Sequence, residues 1–177
     1  MISDEQGEAG AFRGAITTMP TDCMLRAGAA GLALLAIGAA APANAQKQSY
    51  QTVDASQRAT YGEYSLSAGF TPDPQVISVT SGGSIDASLV ASGCVGMVAR
   101  APDVQITYDS GSLPLTFLTS SSLDTTLLIN GPDGRWSCDD DSGDSGGDAL
   151  LTFYNPRSGI YDVWVGAYAG NSGSVDL

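Results

Sequence analysis

Beyond residue 60 the apolar positions recur with a period of two. In residues 103–108, Val104, Ile106 and Tyr108 fall on one face, and in 113–117, Leu113, Leu115 and Phe117 do the same. Successive side chains of an extended chain point to opposite faces, so each segment reads as a half-buried strand. Residues 126–130, 149–154 and 160–168 continue the series; in the last, Tyr161, Val163 and Val165 oppose Asp162 and Trp164. Weaker strands are predicted at 61–67, 75–80, 84–87, 95–99, 136–138 and 174–177. No window of a dozen residues keeps apolar positions at helical spacing without a Gly, Pro or Ser cluster breaking it. Gly82-Gly83, Asn130-Gly-Pro-Asp-Gly134, Asn155-Pro-Arg-Ser-Gly159 and Gly170-Asn-Ser-Gly173 supply turn chemistry, since Gly and Asn tolerate the positive φ of tight connections. About eight to ten short strands punctuated this way predict an all-β fold, an antiparallel β-sandwich of jelly-roll kind.

The pattern changes near residue 45. Residues 27–41 are almost entirely Ala, Gly, Leu and Ile, preceded by Arg26 and followed by the small-x-small triplet Ala43-Asn44-Ala45. That is the form of a secretory signal peptide, read over 24–45, on an exported protein: periplasmic, outer-surface or secreted. The apolar run is short of the ~20 residues that span a bilayer, so the membrane enters only through an uncleaved signal. Residues 1–23 read as an over-extended or disordered leader. Residues 46–60 are polar and unpatterned and read as a flexible lead-in to a domain over 61–177. No internal repeat occurs.

Charge narrows the partners. The chain carries 7 Lys and Arg against 19 Asp and Glu, a net charge of −12. Such a surface repels nucleic acid and anionic lipid, leaving a protein or polysaccharide partner. After residue 45 the acids are aspartates except Glu63, which places them in loops rather than on helix faces.

Two cysteines follow the leader, Cys94 and Cys138. A pair in an exported chain reads as one disulfide; the alternative is two separate buried thiols. Closing a loop of about 45 residues would contribute ~4 kcal/mol in the chain-entropy account. A zinc-thiolate site lacks partners, because the chain has no histidine and no Cys-x-x-Cys.

The densest chemistry lies between Trp136 and Asp148. Asp139, Asp140, Asp141, Asp144 and Asp148 set five carboxylates within ten residues, with Asp124 and Asp133 at the ends of the preceding strand able to join them. Calcium is the expected ion, since it accepts six to eight oxygens in flexible geometry, backbone carbonyls included. The spacing lacks the glycine and glutamate of an EF-hand, and the competing reading is a solvated turn that keeps a strand edge soluble. The same loop spells Gly143-Asp-Ser-Gly-Gly147, the surroundings of a chymotrypsin-like nucleophile, which would be Ser145. A serine hydroxyl needs a base to take its proton, and the only lysine after the leader, Lys47, sits in the lead-in. The pentapeptide therefore reads as turn composition, a serine hydrolase is the lesser alternative, and no catalytic residue is assigned. Trp136, Trp164 and the tyrosines offer a sugar-stacking face or, alternatively, ordinary packing against the second sheet.

Asp124 opening a strand that ends in Asp133-Gly134, then Asp139 to Asp141, then Gly159-Ile-Tyr161 through Val165, together resemble the bacterial pre-peptidase C-terminal domain over roughly residues 75–177. The resemblance implies a small β-sandwich that accompanies secreted hydrolases and aids secretion, substrate engagement or calcium-dependent stability. No enzyme is attached here, so it implies an accessory or adhesion module; a structural subunit of an envelope assembly is the alternative.

Overall fold

The computed structural model describes residues 51–143 and 146–177. They form an all-β fold of eleven strands: β1 (Glu63–Ser67), β2 (Ser78–Thr80), β3 (Ile85–Asp86), β4 (Met97–Val98), β5 (Val104–Asp109), β6 (Leu115–Leu118), β7 (Thr125–Asn130), β8 (Trp136–Asp139), β9 (Leu150–Phe153), β10 (Gly159–Ala167) and β11 (Ser174–Asp176). The single helical turn, Ala87–Leu89, starts where the Asp86 carboxylate accepts the Ser88 amide.

β10 is the axis of the larger sheet. One edge pairs with β7 from Asp162 to Ala167, and β7 pairs in turn with β8. The other edge is shared: Gly159 to Val163 pair with β5, and Ala167 pairs with Met97 of β4, which continues to β3. Between these partners Val165 has no opposing strand. Its carbonyl accepts the Gly82 amide at 2.9 Å, and its amide donates to Oδ2 of buried Asp103 at 2.7 Å. A side chain thus completes the ladder, as a buried peptide group requires.

One pairing departs from the antiparallel expectation. β1 runs parallel to β5, Glu63 opposite Gln105 through Ser67 opposite Asp109. A parallel neighbour needs a crossover, and here β2, β3 and β4 lie within it.

The second layer joins two antiparallel pairs of strands distant in sequence. β11 pairs with β2 and β6 with β9, and a bridge between Ser120 and Asp176 ties them in the order β2, β11, β6, β9. Between the layers lies the main core: Val104, Ile106, Leu127, Ile129, Tyr161, Val163 and Val165 from one sheet, and Ile77, Val79, Leu115, Phe117 and Val175 from the other. Phe117, Phe153 and Tyr161 stack at ring separations of 5.2–6.0 Å. Each such pair contributes about 0.5–1.5 kcal/mol beyond its burial. The arrangement is sandwich-like.

The outer face of the larger sheet is covered too. Leu128 and fully buried Trp164 project outward there, beneath Val53, Ile85, Ala87, Val98 and the disulfide. Trp164 therefore packs on the face opposite the second sheet, not against it. Val53 also corrects the lead-in: residues 51–60 lie along the sheet, with the Asp54 amide bonded to Arg100 O, the Thr60 amide to Pro102 O, and Asp54 paired with Arg100. The remainder of the lead-in, the signal segment 24–45 and the leader 1–23 lie outside the described residues.

Candidate functional site

Cys94 and Cys138 form the disulfide, their Cα atoms 5.6 Å apart across a separation of 44 residues. Cys138 stands opposite Leu128 in the β7–β8 ladder. The bridge pins the loop after the helical turn onto the outer cluster. Trp136 lies beside Trp164 with ring centroids 5.4 Å apart. The buried ring of Trp164 is not available to stack on a sugar.

The acidic loop leaves the sheet at the end of β8. Asp139 turns back on its own loop: Oδ1 accepts the Ser142 hydroxyl at 2.6 Å, while Oδ2 accepts the amides of Ser142 at 3.0 Å and Leu150 at 2.8 Å. Leu150 opens β9, so this one carboxylate joins the two sheets. Burial pushes the Asp139 carboxyl up, but the bonds from Ser142 and Leu150 overcome it and hold the group below the ordinary carboxylate range. Asp140 moves the other way, raised by burial and then by the charges of Asp141, Asp139 and Asp124. Asp148 is buried and its Oδ1 accepts the Ser121 amide at 3.0 Å.

Asp124, Asp139, Asp140 and Asp141 thus lie near one another, while Asp148 faces the loop before β7. Among the described residues no three acidic or cysteine side chains converge into a group able to hold a metal ion. Asp139 has committed both oxygens to backbone and hydroxyl donors. Asp144 and Ser145 lie outside the described residues.

A second candidate has no signature in the sequence. An apolar groove of about 190 Å³ opens beside β6, with Leu66, Phe70, Ile77, Ile106, Leu115 and Phe117 among its lining. β11 lies between β2 and β6, with Ile77 and Leu177 exchanging both backbone bonds on one side and Ser120 and Asp176 exchanging both on the other. The groove lies beyond these pairings, with β6 as far as Leu115 on one bank and the segment from Asp73 to Ile77 on the other. Val76 and Leu118 stand on the two banks, 54% and 40% exposed.

A third hollow, of about 150 Å³, lies at the β7–β8 turn between Asp133, Arg135, Arg157 and Tyr161. The Tyr161 hydroxyl both donates to Arg157 O and accepts the Arg157 amide at 3.0 Å, which fixes its floor.

Of the residues that carry the family resemblance, Asp124 lies directly before β7, Asp133-Gly134 in the β7–β8 turn, Asp139 at the end of β8, and Gly159 to Val165 on β10. No protein-family model matches the chain, and no curated protein or solved structure is found to match it.

Proposed function

We propose that this chain is an exported, non-catalytic binding module of accessory type that engages a protein partner through the groove beside β6. The supporting observation is the pair of apolar banks, Val76 and Leu118, exposed over a groove floored by core residues. Scattered exposed apolar residues are ordinary, but a concave apolar site with few polar groups is the usual form of a binding site. Burial removes Trp164 from any sugar-stacking face, while Tyr154 and Tyr168 remain exposed. The absence of histidine from the sequence weighs against a serine nucleophile at Ser145, and the resemblance to pre-peptidase C-terminal domains agrees with an accessory role. Calcium is not part of the reading, since Asp139 is engaged by Ser142 and Leu150.

Two measurements test it. Mass spectrometry of the protein from its native host should find a mature N-terminus at Gln46, and retention of residues 24–45 in the mature protein would sink the exported reading. A fluorophosphonate probe should leave the protein unlabelled. Labelling abolished by Ser145→Ala would replace the binding module with a hydrolase.

A further inference from the structure

We infer that the hollow between the β7–β8 turn and the loop after β9 is a second binding site, which takes the carboxylate of a small acid with a flat apolar body. The site is independent of the groove beside β6 and adds a ligand of a different class.

Two turns carry it. In the first, the Gly131 amide donates to Arg135 O at 2.9 Å and the Arg135 amide to Asp133 Oδ1 at 3.2 Å, which sets Arg135 on the lining. In the second, the Tyr161 hydroxyl engages both the amide and the carbonyl of Arg157, and the Tyr161 ring is itself buried against Phe117 and Phe153. The turns touch where Gly159 meets Pro132, since a Cβ at Gly159 would come within 2.7 Å of the Pro132 Cβ. Both arginines therefore stand on fixed backbone around one hollow.

The charge there runs against that of the chain. Among the described residues Arg58 pairs with Glu63, Arg100 with Asp54 and Arg135 with Asp133, while Arg157 pairs with no described carboxylate. Asp133 is the only acid on the lining and is already engaged by Arg135. Two guanidinium groups against one carboxylate leave a local positive charge in a chain of net −12.

Shape and charge together select the ligand. A space of about 150 Å³ suits one benzene-sized body. Pro132 and Phe153 offer apolar walls, and Ser137 and Asn155 offer further hydrogen bonds. A guanidinium group takes a carboxylate through two parallel N–H bonds. The negative charge of the whole molecule opposes a dianion more than a monoanion, so phosphate is the poorer ligand.

The test follows the arginine Nε–Hε signals of the isotope-labelled protein by NMR as benzoate is added. Arg157 and Arg135 should shift and half-saturate below about 20 mM, while Arg58 and Arg100, paired elsewhere, should stay still. Benzamide, the neutral twin, and inorganic phosphate should each bind at least about tenfold more weakly. Arg157→Gln should weaken benzoate at least about fivefold with the fold intact, because Tyr161 holds the backbone of residue 157 rather than its side chain. Arg157→Lys should keep only part of the affinity, since an ammonium lacks the planar fork. Asp133→Asn still offers an acceptor to the Arg135 amide but removes the opposing charge, and should tighten binding about two- to fivefold. The tripeptide Ala-Ala-Phe, with a free or an amidated C-terminus, separates the sources of the carboxylate. Tighter binding of the free-ended peptide than of benzoate assigns the site to the chain ends of partner proteins, and the reverse order assigns it to free acids. Half-saturation above about 20 mM, equal shifts at all four arginines, or benzamide or phosphate binding as tightly as benzoate would overturn the carboxylate site and leave the exported binding module standing.

Discussion

Asp103 and Val165 form a 2.7 Å bond in which a buried carboxylate does the work of a missing strand. Between Val163, which pairs with β5, and Ala167, which pairs with β4, the edge of β10 would otherwise hold a buried amide with no acceptor. Burial raises the Asp103 carboxyl to about 7 from 3.8, and the Val165 amide only partly offsets this.

The direction of the pH effect follows. Between the unfolded value near 3.8 and the folded value near 7, the folded chain binds the proton more tightly. This group's contribution is therefore greatest below the lower value, falls as pH rises through the window, and is flat above it. Asp103→Asn, whose amide oxygen can still accept from Val165, should remove that slope. Urea unfolding at several pH values from 4 to 8 checks it; the stability difference between wild type and variant must change across the window, and a constant difference would refute the assignment.

Asp139→Ala should cost about 1–3 kcal/mol, because it strips partners from the Leu150 and Ser142 amides and unties β8 from β9. The loss should be the same with and without millimolar calcium, read from unfolding midpoints. A calcium-dependent share of the loss would mean that a cation, rather than the loop's own donors, engages this carboxylate.

Removing the disulfide by Cys94→Ser with Cys138→Ser should lower stability by about 2–5 kcal/mol. Trp164 lies in the same buried cluster, so its fluorescence should red-shift if that cover loosens. A variant as stable as wild type under denaturant titration would show that Val53 and the helical turn hold the cluster closed unaided.

Gly166→Ala probes the contact between β10 and β7. A Cβ there would run into the Thr126 hydroxyl and crowd Val98 and the Met97 carbonyl. Overpacking of this kind costs about 1–3 kcal/mol, and Thr126→Ser should not relieve it because the hydroxyl remains. Thermal unfolding of the single and double variants decides the matter; a midpoint unchanged in Gly166→Ala would refute the close packing.

The alternation in 103–108 and 113–117 was enough to identify β5 and β6 and the residues they turn to the core, apart from Leu113, which lies before β6 and is exposed, because side-chain direction is a local property of an extended chain. Neighbours are not local. Nothing in residues 61–67 distinguishes a parallel partner from an antiparallel one, since that depends on the path through β2, β3 and β4. Val53 gave no warning either: one apolar residue in a polar stretch has no period, and its burial depends on the covered outer face. The pairing of Cys94 with Cys138 was legible from their number. Within the acidic loop, Asp139 followed three residues later by Ser142 is the spacing of a side-chain-capped turn, the one signal that this carboxylate would be spent locally. The groove had no signal, because its lining is drawn from segments far apart in the sequence.

β10 begins at Gly159, and the larger sheet is assembled around it. β5, β7 and β4 all wait for a partner that emerges near the end of the described chain, so most of the sequence must be available before the core can close. Synthesis from the N-terminus would leave a long stretch without its central strand.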